Sequence, residues 1–150
     1  MSEIQAKINE AVKDAMRAKD KDRLTTLRLA TAEFKKVEVD ERITLDDTRV
    51  IAILDKMIKQ RKDSVTQFNA GGRADLAEKE QAEISVLQDF LPAALSEAEL
   101  ESLIRTAISS SGAEGMKDMG KVMAALKPQV QGRADMGAVS QKIKALLSGG

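Results

Sequence analysis

Two long runs of helical apolar spacing meet at Gly71-Gly72, and that pairing leaves the chain an antiparallel helical hairpin and little else. On the first run Ile51, Leu54, Ile58, Val65 and Phe68 share one arc of a helical wheel, with Lys56 and Lys59 facing away. On the second, Leu76, Ile84, Leu87, Phe90 and Leu91 do the same. Adjacent glycines supply the left-handed backbone that ends one helix and reverses the chain.

The rest of the chain repeats this grammar. The spacing predicts helix 1 from Ser2 to about Ala18, with Gln5 as the capping-box partner of Ser2 and Ile4, Ile8, Ala11, Val12 and Ala15 facing inward. The charged stretch Lys19 to Asp22 breaks it. Asp22 is expected to cap helix 2, whose inner stripe is Leu24, Leu27, Ala30, Phe34 and Val37. Thr44, followed by Asp47, is expected to open helix 3, which continues to about Asn69. Helix 4 follows from Ala74 to Phe90, closed by Pro92. Ser96 with Glu99 predicts a capping box for helix 5, to Ser110. Helix 6 is expected over Lys117–Lys127, stopping at Pro128, and helix 7 over Met136–Leu147 with Asp135 as its cap. Ser148-Gly149-Gly150 is expected to fray.

A boundary at Pro92 to Ser96 divides this series into an N-terminal four-helix domain, 1–92, and a C-terminal three-helix domain, 96–150. The expected fold class is therefore all-α. All three Phe residues (Phe34, Phe68, Phe90) fall before the boundary, each on an inner stripe. The second domain instead packs Met119, Met123 and Met136 around Val122, Leu126, Val139, Ile143 and Leu146.

Composition narrows the chemistry. The chain has no Cys and no His, so no thiol nucleophile, no ordinary near-neutral base and no His/Cys metal site is available. No metal and no cofactor are expected. The charged N-terminus and the lack of a long uncharged run predict no membrane segment and a cytosolic location. Net charge is zero, against a general nucleic-acid coat. The distribution is uneven: Arg49–Arg73 carries six basic and two acidic residues, Ala74–Glu101 one and eight, and the segment from Met116 onward six and two. A polyanion would therefore prefer the third helix or the C-terminal unit, although solvated helix faces have the same signature.

Three charges defy the hairpin's apolar pattern. Arg61 falls inside the arc of helix 3, and Glu80 and Glu83 inside that of helix 4. Folded about Gly71-Gly72, Arg61 comes level with Ala82, one short step from both carboxylates. They read either as a buried ion-pair clamp that fixes register or as a paired-carboxylate acid/base site. The clamp is the stronger reading, because a carboxylate held against Arg stays ionised. Elsewhere Gly-Arg-Ala-Asp occurs twice, at 72–75 and 132–135, where helix-start amides and an Arg could meet a phosphate. In each case the Asp would compete for those amides as a cap. With no Trp or Tyr and the Phe residues inside, base stacking is not on offer, so RNA contact would run through phosphates and shape.

Thr26-Leu27-Arg28, the segment KQRKDSVTQFNAGGRADLAEKE with LQDFLP after it, and MGKVMAALKPQVQGRADMGAVSQKIKALL together resemble the YqeY family. Members of that family share their two helical units with the C-terminal tail of GatB, a subunit of tRNA-dependent amidotransferase. The resemblance implies a four-helix and a three-helix unit and, from the tail, contact with tRNA. Carried onto this chain, that character falls on Lys121, Lys127, Arg133, Lys142 and Lys144, with Gly120 and Gly132 at the matching glycines. It implies tRNA as a partner and, alternatively, a role as a protein-interaction adaptor of an amidotransferase or an aminoacyl-tRNA synthetase. The family label that comes with the GatB catalytic domain is carbon–nitrogen ligase with glutamine as amido-N-donor.

Overall fold

A computed structural model describes residues 2–148. It is all-α, with seven α-helices and one short 3-10 turn among the described residues. The chain divides into two compact units, Met1–Leu91 and Pro92–Gly150. The expected fraying at Gly149-Gly150 lies outside the described residues.

The first unit is built from α1 (Glu3–Ala18), α2 (Lys21–Glu41), α3 (Asp47–Ala70) and α4 (Ala74–Gln88). Helices α3 and α4 pack as the antiparallel hairpin about Gly71-Gly72, where Gly72 has φ 72°. Its core is Ile8, Leu27, Ala30, Phe34, Leu45, Val50, Leu54, Met57, Ile58, Ile84 and Leu87. Phe34 is fully buried, but Phe68 and Phe90 are half-buried, so the inner stripe expected to hold all three covers only one completely. Arg23 uses the outer side of this edge, its guanidinium lying 5.9 Å from the Phe90 ring centre.

Three helix starts differ from the sequence expectation: α1 lacks the return half of its box, and at α2 and α3 a different side chain caps. Ser2 caps α1 by accepting from the Gln5 amide, but Gln5 Oε1 does not accept from Ser2, and Gln5 Nε2 donates to Glu38 Oε1 at 2.8 Å. The expected capping box is thus replaced by a tie between α1 and α2. Asp20, not Asp22, caps α2 through the Arg23 amide. Lys19 makes this possible by closing α1 in the left-handed region at φ 58°. Asp46, not Thr44, caps α3 through the Arg49 amide at 2.9 Å. That start leaves Leu45 in the preceding loop, where it is buried as a plug.

The second unit comprises α5 (Glu97–Ser111), a 3-10 turn at Met116–Asp118, α6 (Met119–Val130) and α7 (Met136–Ser148). Ser96 and Glu99 form a reciprocal capping box at the start of α5. The core is Leu100, Ile104, Ala107, Val122, Leu126, Val130, Val139 and Ile143, with Met119, Met123 and Met136 packed around it as half-buried filler. Helix α6 does not stop at Pro128; the proline lies inside its last turn. There its missing N–H costs one hydrogen bond, to an Ala124 carbonyl on an exposed residue that water can reach. The next turn buries Val130, which favours carrying the helix through.

Candidate functional site

Arg61, Glu80 and Glu83 all lie half-buried on the facing sides of α3 and α4. Arg61 Nε donates to Glu83 Oε2 at 3.1 Å, and Arg61 Nη1 donates to the Met57 carbonyl at 3.2 Å. The paired side chains are only 14% and 17% exposed, so water screens them little. Glu80 behaves differently from the carboxylate expected beside an arginine. Its pKa is raised: burial contributes most, the negative charge of Glu83 adds to it, and the opposing pull of Arg61 is outweighed. The three side chains therefore form a two-membered ion pair with a second carboxyl, of raised pKa, beside it. A raised carboxyl pKa is useful for acid/base chemistry, but reacting groups also need a concave site for a substrate. A groove of about 680 Å³ runs between α2 and α4 and includes Glu83, yet its lining includes neither Arg61 nor Glu80.

The two Gly-Arg-Ala-Asp turns, alike in sequence, do different things. At the first, Arg73 is the cap position of α4, and Asp75 sits inside the helix, bonded to the Arg73 guanidinium at 3.1 and 3.2 Å. That bond is the largest cause of the lowered Asp75 pKa. At the second, Asp135 Oδ2 accepts from the Ala138 amide and caps α7. Gly132 takes φ 77° and turns the chain there. Arg133 Nε donates to the Ala93 carbonyl at 3.0 Å, so this guanidinium braces the start of its own unit. In both turns the arginine is already bonded within the chain, and at the second Asp135 also takes a helix-start amide.

The other lysines of the C-terminal unit fall into two groups. Lys142 is half-buried where α7 meets α5, in a small depression with Glu101, Ile104, Ala145 and Leu146. Glu101 is held ionised there mainly by its 2.8 Å bond to Arg105 and Arg105's charge, with Lys142 adding to the effect. Lys127 and Lys144 are exposed and, among the described residues, in no ion pair of the structure. Lys121 is exposed with only a loose 3.8 Å approach to Asp118. Lys117, one helical turn before Lys121, is also exposed. It was absent from the residues singled out in the sequence, where only the local charge count marked it. The structure thus leaves Lys117, Lys121, Lys127 and Lys144 open to solvent, bonds Arg133 to the Ala93 carbonyl and half-buries Lys142 near Glu101.

Among the described residues, no cluster of three or more acidic side chains is arranged to hold a metal ion. Among the same residues, no helix is long and apolar enough to cross a membrane.

Comparison with known proteins gives a family match described as Yqey-like protein over residues 5–147. Altered inheritance of mitochondria protein 41, mitochondrial, from Pyrenophora tritici-repentis is 33% identical over 140 residues, which is 91% of this chain and 76% of that protein. A protein of the same name from Lachancea thermotolerans is 37% identical over 103 residues, 66% of this chain and 54% of the relative. An uncharacterized protein from Schizosaccharomyces pombe is 36% identical over 89 residues, 59% of this chain and 72% of the relative. The match thus spans about three quarters of some relatives and about half of others. The cytosolic location expected from the sequence is overturned by the relatives of the altered-inheritance-of-mitochondria name, which that name places in mitochondria. A charged N-terminal segment and the lack of a long apolar run do not distinguish one aqueous compartment from another.

Proposed function

We propose, on the premise that the chain belongs to the Yqey-like protein family, that it is a tRNA-associated helical binding module. The reading assigns it no reaction of its own. The observation that carries it is the set of exposed cations in the C-terminal unit, with Lys127 and Lys144 unpaired among the described residues and Lys121 only loosely held. Unpaired surface lysines can exchange their counterions for phosphates without first breaking an internal bond. The absence of Trp and Tyr fits recognition through backbone charge and shape better than through stacked bases. The resemblance to the GatB tail supplies tRNA as the class of RNA. Within the five residues first marked, the phosphate contacts are assigned to Lys121, Lys127 and Lys144, while Arg133 is bonded within the unit and Lys142 is half-buried.

The test is tRNA binding by the full chain as a function of salt. Three lysine–phosphate contacts give a slope of log K against log salt of about −2 to −3. Affinity then falls by roughly twenty- to fortyfold between ~50 and ~200 mM salt. A slope near zero, or no binding at ~50 mM salt, overturns the reading. A protein partner captured equally well after nuclease treatment would favour the adaptor role instead.

A further inference from the structure

Helix α2 is apolar on two sides. One side, Leu27, Ala30 and Phe34, is buried in the core of the first unit. On the opposite side Leu29 is 43% exposed, Val39 65% and, just past the helix end, Ile43 37%. Leu29 and Val39 belong to a regular series. Within α2, which ends at Glu41, Thr25, Leu29, Ala32, Lys36 and Val39 are all exposed and recur at alternating intervals of four and three residues. That is the a/d spacing of a two-stranded coiled-coil seam.

The residues flanking the seam carry the argument to an occupant. On one edge, at the g positions, stand Arg28 and Lys35; on the other, at the e positions beyond the buried Thr26, stand Glu33 and Asp40. All four charged residues are exposed, and none is in an ion pair of the structure among the described residues. In a parallel pair, each g residue meets the e residue of the next heptad on the other helix. Arg28 would then face Glu33 of a second copy, and Lys35 would face Asp40, twice over by symmetry. An antiparallel pair with the same seam sets g against g and e against e. Arg28 and Lys35 would then meet only basic residues, and Glu33 and Asp40 only acidic ones. One basic and one acidic edge on a single helix is self-complementary only in parallel.

We propose that the outer face of α2 is a homodimerisation surface on which two copies of this chain pair through parallel, in-register α2 helices. Lys36, at an inner a position, costs stability but favours a two-stranded pair over larger bundles. The seam is short and below the size of a standard interface, so the dimer is weak and forms over roughly 10 µM to 1 mM.

The chain contains no Cys, so one introduced thiol is the only thiol present and reports position directly. Sedimentation of the full chain across that range should show the mass rising from one chain towards two. Under mild oxidation, Thr25→Cys and Val39→Cys should each form a covalent dimer alone, whereas a mixture should give little 25-to-39 product. Leu29→Glu/Val39→Glu should stay monomeric with unchanged helicity, since both positions are exposed. Arg28→Glu should weaken the dimer, and adding Glu33→Arg should restore it. A single-chain mass throughout, preferential 25-to-39 cross-linking, or a dimer that survives Leu29→Glu/Val39→Glu would each overturn the proposal.

Discussion

Replacing Arg61 with Met removes the cation of the α3–α4 hairpin while keeping most of its aliphatic bulk. Arg61 and Glu83 lie 3.1 Å apart with side chains 14% and 17% exposed. At an effective dielectric near 20 their gross attraction is about 5 kcal/mol. Arg61's own desolvation, a few kcal/mol, disappears with it, so the net loss at neutral pH is about 2–3 kcal/mol. For a unit of this length that is a fall of roughly 10–20 °C in melting temperature. The cause is the carboxylates left behind: Glu83 loses its partner and Glu80 stands beside it in the same half-buried site.

The pH dependence separates charge from packing. Without Arg61, two neighbouring half-buried carboxylates repel one another with no cation between them, a cost that arises only when they are ionised. The deficit of Arg61→Met should therefore be small near pH 4 and grow as pH rises through the carboxylate range to neutrality. Urea denaturation at several pH values, with hydrogen exchange of α3 and α4 amides as the local readout, measures it. The double variant Arg61→Met/Glu83→Leu should recover most of the loss by removing the stranded charge. A deficit equal at pH 4 and pH 7 would refute the electrostatic account and leave Arg61 as a packing residue.

Three further outcomes follow from the same physics. Glu80→Gln should leave stability unchanged in acid, where the native carboxyl is protonated. It should raise stability near pH 7 by under about 1 kcal/mol, because the raised pKa means the folded state carries a cost once Glu80 ionises; a loss at pH 7 would contradict this. Phe34→Ala empties the centre of the first unit and should cost about 3–5 kcal/mol, visible as early loss of helical circular dichroism; a cost below about 1 kcal/mol would mean the core relaxes around the site. Ser96→Ala breaks the reciprocal capping box of α5 and should cost about 0.5–2 kcal/mol, read as faster hydrogen exchange in the first turn of that helix.

The helical hairpin was legible because its signal is redundant: two periodic apolar runs with paired glycines between them. Helix starts were less so. Asp20 caps α2 only because Lys19, a residue with no glycine-like signature, enters the left-handed region. Asp46 displaces Thr44 because Leu45 needs burial in the loop. Pro128 was read as a stop on local grounds, and the burial of Val130 two residues later overrode it. The spacing of Arg61, Glu80 and Glu83 placed them near one another, but the raised pKa of Glu80 depends on burial, which spacing does not reveal. Likewise, Arg133 and Lys144 are both simple cations in sequence. Only the structure shows one spent on the Ala93 carbonyl and the other free of any ion pair among the described residues. The outer seam of α2 was overlooked because the inner stripe of the same helix already accounted for its apolar residues.

The central claim, that exposed lysines of the C-terminal unit engage tRNA, is tested most directly by charge reversal. Lys127→Glu/Lys144→Glu should fold normally, since both residues are exposed and in no ion pair among the described residues. Measured beside the parent chain at one fixed salt concentration, its tRNA affinity should fall by at least about tenfold and its salt slope should shrink by about 1–2. Unchanged affinity and slope in a well-folded double variant would contradict the claim.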